Sequence, residues 1–207
     1  MVTRVPWVVG VSGASGTPYA AAVLQGLLGA GQAVDLVVSR AARLTLLDET
    51  GVRWHDDAAS LRAWLRELPV AADVRHWSVG DLAAGPSSGS YRTHGMIVVP
   101  ASTASVAGIA LGLSKDLLQR AADVTLKERR PLVVVPRETP LARSTLVHLL
   151  ELADAGAVIA PASPGFYAGA TTAAELADFV AAKVLDVLGV EHGLGVRWTG
   201  ELGAGRA

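Results

Sequence analysis

The feature that most constrains this chain is a set of short runs that stay apolar at nearly every position: VPWVVGV (5–11), AVDLVVS (33–39), MIVVPA (96–101), LVVVP (132–136) and AVIAP (157–161). A strand wet on one face alternates polar with apolar residues, so continuous runs of this kind predict strands covered on both faces. Helical patterns separate most of them, at 18–29 after Thr17-Pro18, 41–50, 58–67, 115–122, 142–155 and 172–188. The last opens with a threonine N-cap and an early glutamate. Buried strands alternating with helices predict a single-domain α/β protein built on a doubly wound parallel sheet. A length of 207 residues with 51% hydrophobic side chains supports one sizeable core. That domain is expected over 1–189, followed by a glycine-rich, partly mobile tail, 190–207, apart from whatever anchors Arg197 and Trp198.

Charge and cysteine content remove whole classes of function. With 18 Lys and Arg against 19 Asp and Glu, the net charge is −1. Such a chain lacks the broad positive field by which nucleic-acid and anionic-membrane binders attract their partners, which favours a small-molecule partner. The absence of cysteine excludes disulfides, thiolate metal sites and a cysteine nucleophile. The opening MVTRVPWVVGVSGASG passes straight from a short apolar stretch into a glycine loop, unlike a signal peptide, and no apolar run approaches the roughly 18 residues of a membrane helix. A cytoplasmic location is the expectation. A mean hydropathy of +0.38 implies apolar surface buried between copies of the chain, hence a homo-oligomer.

Three strand ends carry hydroxyls and glycines. GVSGASGTPYA has glycines at 10, 13 and 16, which is neither G-x-G-x-x-G nor a Walker loop, and it reads either as an anion cradle or as a turn required for close packing. PASTASVAG (100–108) follows the third run in the same topological role, and Ser39 ends the second. Together they suit the phosphate and ring edge of flavin mononucleotide (FMN), against the alternative of ordinary helix caps. GDLAAGPSSGSYRTHG (80–95) reads as a long surface loop, functional or a disordered connector.

The densest chemistry is QRAADVTLKERRPLVVVPRETPL (119–141), where Arg120, Lys127, Arg129, Arg130 and Arg137 surround a buried strand and Glu138 closes it. Lysine as a point charge and arginine as a bidentate fork make a site for a departing phosphate dianion. Arg129 and Arg130 read as a solvated turn. PASPGFYAG (161–169) places Tyr167 in a Pro/Gly loop, and Lys183 lies on the last helix.

GVSGASG, SSGSYRTHGM, PASTASVAGIA, LLQRAADVTLKERRPLVVVPRETPL, PASPGFY and the closing RW together resemble the UbiX-type flavin prenyltransferases, over nearly the whole chain. The resemblance implies a Rossmann-like, flavodoxin-like flavoprotein that binds reduced FMN and dimethylallyl phosphate. It implies attachment of the prenyl group to flavin N5 and C6, release of prenylated FMN to a UbiD-type decarboxylase, and a dodecamer of trimers with active sites at subunit junctions. By the same resemblance Gly13, Ala14, Ser15, Ser39, Ser102, Thr103, Ala104, Ser105 and Arg120 contact FMN. Lys127, Arg137, Glu138, Tyr167 and Lys183 hold the donor, some from a neighbouring subunit. Ser15 and Glu49 manage protons near the ring, Lys127 and Glu138 complete the catalytic set, and no metal is implied.

Some positions depart from the family pattern. Ala101 stands where many relatives have cysteine, Leu82 where some have tryptophan, and TLVH (145–148) where HLEN is frequent, so that His148 replaces an asparagine. Two rival readings remain. A flavin-dependent cysteine decarboxylase carries a PASANT-like motif, whose asparagine is Ala104 here, and none of His55, His76, His94, His148 and His192 falls in its histidine motif. An FMN-carrying, non-catalytic decarboxylase subunit would have no need of a second phosphate site.

Overall fold

The computed structural model describes residues 4–65, 72–167, 169–195 and 197. In chain order the elements are β1 (Trp7–Val11), α1 (Thr17–Gly29), β2 (Val34–Val38), α2 (Arg40–Thr50), α3 (Ala58–Leu65), β3 (Val74–Trp77) and β4 (Gly95–Ala101). They continue with α4 (Thr103–Ala110), α5 (Leu117–Lys127), β5 (Leu132–Pro136), α6 (Arg143–Asp154), β6 (Val158–Ile159) and α7 (Ala173–Val187). The six strands pair in the order β3-β2-β1-β4-β5-β6, and every pairing is parallel. The chain therefore begins in the middle of the sheet, winds outward through β2 and β3, then returns to β4 and winds the other way. The reversal between β1 and β4 opens a crevice at the carboxyl ends of the strands, where such folds bind ligands.

The period of two in each strand divides its side chains between two cores. Trp7, Val9 and Val11 pack with α1, α3 and α7 on one face. Val8 joins Met96, Val98, Leu132 and Val134 against α4, α5 and α6 on the other. Val9, paired with Leu36 and Ile97, is completely buried, and each such side chain contributes about 1.5–3 kcal/mol through burial.

Two elements were invisible to the hydrophobic pattern. β3 is the short edge strand VRHW, half-buried, with Arg75 lying over the Trp77 ring at 5.5 Å. Having a neighbour on one side only, it carries no continuous apolar run. α4 is small and Ala-rich, and its Ser/Thr opening reads as loop because the same residues cap helices and build turns. Helix α5 extends to Lys127, so part of the basic segment is helical where 115–122 was expected. The strand expected at 157–161 narrows to Val158–Ile159, and positions 66 and 67 of the third expected helix lie outside the described residues. The 80–95 stretch is irregular as expected, save for a short 3-10 turn at Gly85–Ser87.

Part of the tail packs onto the domain. Val190 is buried, and Leu194 rests against α1 where Gly26 leaves room; a Cβ there would come within 2.5 Å of Leu185. Arg197 donates to Asp186 at 2.9 Å, and Trp198 lies outside the described residues.

A buried carboxylate links the sheet to the long loop. Asp35, in the middle of β2, is fully buried and accepts from Arg4 Nη1 at 2.6 Å and from the Tyr91 hydroxyl at 2.9 Å. Burial and the neighbouring Asp35 carboxylate both push the Tyr91 pKa upward, keeping the phenol protonated as a donor. Tyr91→Phe leaves Asp35 Oδ2 without that donor and is expected to lower stability by about 1–3 kcal/mol in urea denaturation. A wild-type midpoint and slope would show that Arg4 satisfies the carboxylate alone.

Candidate active site

The crevice is closed at its base by a serine. Ser12, fully buried at the end of β1, donates from Oγ to the Pro100 carbonyl at 2.8 Å and accepts from the Ser102 amide at 2.7 Å. This clasp fixes the β1–α1 loop against the β4–α4 loop across the topological switch. Gly13 follows, and a Cβ there would stand 2.3 Å from the Ala41 methyl. Only glycine lets the first turn of α2 approach so closely.

Between these loops lies a cleft of about 370 Å³ lined by Gly13, Ser39, Ala41, Ser102, Ala104 and Ser105, with Arg40, Lys115, Asp116 and Gln119 completing its wall. Three helices begin here. Ser39 caps α2 by accepting from Ala42 N, Ser102 caps α4 through Ser105 N, and Asp116 caps α5 through Gln119 N. Each helix N-terminus carries partial positive charge, and Arg40 and Lys115 add full cationic charge, offset in part by Asp116. The hydroxyls, helix ends and cations form a donor set suited to a phosphate ester and a polyol.

The β1–α1 loop behaves differently from a free anion cradle. Gly16 adopts φ 118°, and the amides of Gly16 and Thr17 each donate to Glu49 at 2.8 Å, while the Thr17 hydroxyl donates at 2.6 Å. The anion at the start of α1 is thus a residue of the chain itself. Burial alone would raise the Glu49 pKa, but hydrogen bonds from the Thr17 and Ser15 hydroxyls and the two amides outweigh it and hold the carboxyl below its ordinary range. Arg137 Nε donates to the Ser15 carbonyl at 2.8 Å. Ser15, Glu49 and Arg137 are therefore brought together, and Ala14 lies buried beneath them.

The remaining predicted residues fall into separate places. Glu138, exposed at the end of β5, lines a cavity of about 430 Å³ with Thr103, Ala104 and His148. Ala104 borders both this cavity and the cleft, so the two adjoin. Tyr167 and Lys183 line a third cavity of about 310 Å³, where Tyr167 meets Phe179 edge-on at 5.4 Å. Arg120 and Lys127 lie seven residues apart on one face of α5, outside the cleft lining. Arg120 donates to the Ser87 carbonyl at 3.0 Å and to Asp123 at 2.8 Å, and Lys127 pairs with Glu128 at 2.6 Å. Arg130 is no solvated turn residue: it donates to the Tyr91 and Gly89 carbonyls at 2.8 and 2.7 Å and ties down the long loop.

Gln119, Arg40, Lys115 and Asp116 escaped the sequence reading. Asp116 ahead of an apolar stretch is an N-cap signal that could have located the cleft wall. Gln119 opened the basic segment, in which the cations drew the attention.

Fold and cleft define a flavoprotein, and residues 1–185 match the family model described as Flavoprotein. The chain is 66% identical over 212 residues to the flavin prenyltransferase UbiX of Streptomyces coelicolor, covering 97% of this chain and 98% of that protein. It is 39% identical to the flavin prenyltransferase UbiX of Pseudomonas aeruginosa, covering 91% of each. Among solved structures, a crystal structure of AnUbiX in complex with FMN and dimethylallyl pyrophosphate superposes with a TM-score of 0.85 at 40% identity, covering 96% of this chain and 100% of that one. A dodecameric FMN-dependent UbiX-like decarboxylase from Escherichia coli O157:H7 gives 0.83 at 40% identity, covering 95% and 100%. The chain belongs to the UbiX flavin prenyltransferase family. The FMN-dependent cysteine decarboxylase TvaF, at 15% identity and a TM-score of 0.56, shares the fold alone.

The Glu49 arrangement has a pH signature. Its folded-state pKa is lowered, so its contribution to stability is fully present above the unfolded value of about 4.3 and disappears as pH falls through the lowered folded value. Glu49→Gln is expected to melt below wild type near neutral pH, with the gap closing as the pH drops below about 4. A gap independent of pH would show that the carboxylate charge contributes nothing.

Proposed function

We propose that this chain transfers the dimethylallyl group of dimethylallyl phosphate to N5 and C6 of reduced FMN, and that the prenylated FMN passes to a UbiD-type decarboxylase. The observation that carries the reading is an anion-ready cleft adjoined by the Glu138 cavity, in a chain so close to named flavin prenyltransferases. The cleft's donor set fits FMN: Gly13, Ser39 and the Ser102–Ser105 segment would hold it, with Ala14 and Ser15 on the adjoining loop, whereas Arg120, which the resemblance assigns to FMN, lies outside the cleft lining of its own chain. A flavin carrier would leave Lys127, Arg137, Glu138, Tyr167 and Lys183 without a task.

Reduced FMN, when bound, supplies the two nucleophilic positions that become bonded to the prenyl unit. The chain must handle what departs. As the C–O bond of the allylic ester breaks, its electron pair leaves with the phosphate, and Lys127, Arg137 and Lys183 with the Tyr167 hydroxyl neutralise that charge. Glu138 orients these cations or accepts a proton. Ser15 manages a proton near the ring, its hydroxyl directed by Glu49; a carboxylate held at lowered pKa is a weak base, which suits it to orienting Ser15.

Among the described residues, Glu138 and the Tyr167–Lys183 pair line different cavities. Around them Leu146, Leu150, Phe166 and Tyr167 are exposed, up to 76% at Phe166. Such apolar surface favours further copies of the chain, and the solved UbiX-like relative is described as dodecameric. The complete site is therefore assembled from neighbouring subunits in a homo-oligomer, a dodecamer built of trimers.

Anaerobic incubation with FMN, a reductant and dimethylallyl phosphate is expected to yield a flavin heavier by one prenyl unit in mass spectrometry; an unchanged flavin would leave the carrier reading. The pyrophosphate tested alongside reports donor preference. Lys127→Ala and Glu138→Gln are expected to retain FMN and lose turnover by at least about a hundredfold. Subunits carrying Glu138→Gln, unfolded and reassembled with subunits carrying Lys183→Ala, are expected to regain part of the activity. Mixtures as inactive as their parents would place each whole site within one chain.

A further inference from the structure

Gln119 stands out in the cleft wall. It is 2% exposed, and its backbone amide is spent on the Asp116 cap at 2.9 Å. Its Oε1 receives only a long bond from the Lys115 amide, at 3.4 Å. Among the described residues, Nε2 has no acceptor. The amide cannot easily swing away, because it is packed over Gly108, where even a Cβ would come within 2.4 Å of Nε2. Gln119 Nε2 is not sealed from solvent, so water meets it in the cleft and a ligand acceptor placed there would replace that water.

We propose that Gln119 is a flavin-positioning residue whose Nε2 donates to a hydroxyl of the FMN ribityl chain; this rests on the reading of the cleft as the flavin site. The cations of the cleft, Arg40 and Lys115, are exposed, whereas Gln119 is buried in its wall. A dianionic phosphate stays with the solvated cations and helix ends, and a neutral amide in the wall meets the neutral polyol between phosphate and ring. An amide offering a fixed donor and an under-used acceptor matches a hydroxyl, which takes and gives a hydrogen bond. Gln119 would thus set how deep the flavin sits without touching the reacting atoms.

The test is Gln119→Met, which keeps shape and removes the donor, with binding of oxidised flavins followed by fluorescence titration. Wild type must bind FMN; failure there would overturn the flavin reading itself. Expected for Gln119→Met are FMN and riboflavin weakened alike, by roughly tenfold, lumiflavin unaffected because it lacks the ribityl chain, and an unchanged melting temperature without ligand. Loss for FMN alone would assign Gln119 to the phosphate, equal loss for all three flavins would assign it to the ring or to general packing, and no loss would remove it from recognition. Each of these overturns the proposal.

Discussion

The geometry of the crevice depends on the Ser12 clasp. A parallel sheet aligns β1 and β4 through its ladder but leaves the two loops beyond their ends free to splay apart. Ser12 Oγ both donates to Pro100 and accepts from Ser102, so one buried hydroxyl spends its donor and an acceptor on holding them at a fixed separation. Because Ser102 is also the N-cap of α4, the clasp aims that helix end into the cleft. Removing the hydroxyl would leave the Ser102 amide unpaired and the Pro100 carbonyl with only the 3.2 Å bond from the Ser12 amide, which is why such a small side chain carries so much of the arrangement.

A second constraint is the separation of anions. The start of α1 would be an obvious phosphate site in a fold of this kind, yet Glu49 occupies it with bonds to the two amides and the Thr17 hydroxyl. A phosphate close to that carboxylate would be repelled. The place left for an anion is the cleft where α2, α4 and α5 begin, the proposed flavin site, while Ser15 and Arg137 stay beside Glu49. One internal carboxylate thus separates the cleft proposed for the flavin tail from the Ser15 and Arg137 side of the β1–α1 loop.

How much of this could be read in the sequence follows from where each residue's environment originates. The central strands were legible because burial on both faces demands continuous apolar runs, and α7 because its capping box, Thr172 with Glu175, is written in adjacent letters. The edge strand β3 and the small helix α4 were not, since neither needs an apolar run. Residues whose neighbours are near in sequence or sit at strand ends, such as Gly13, Ser39 and Ser102, fell where expected. The anion at α1 did not: the interaction that fills that site joins Gly16 to Glu49, 33 positions on, and no local pattern encodes it. Gln119 was missed for a related reason, as what distinguishes it is an absent partner, which only three-dimensional packing over Gly108 reveals.

The departures from the family pattern can be weighed by where they lie. Ala101 is buried at the end of β4, beside the shift of register with β5, so a small apolar residue there answers to packing. Leu82 is 51% exposed on the long loop, and within one chain it faces no cavity wall described above. His148 differs from both. It shares the Glu138 cavity and is held by Glu151 at 2.9 Å through Nδ1, so the replacement of an amide by an imidazole places an aromatic ring in that cavity. An asparagine there could only accept and donate fixed hydrogen bonds. An imidazole held by Glu151 and sharing a cavity with Glu138 is a hydrogen-bonding group of different shape and reach from that amide, which makes this corner, more than the cleft, the place where the chain departs from the family pattern.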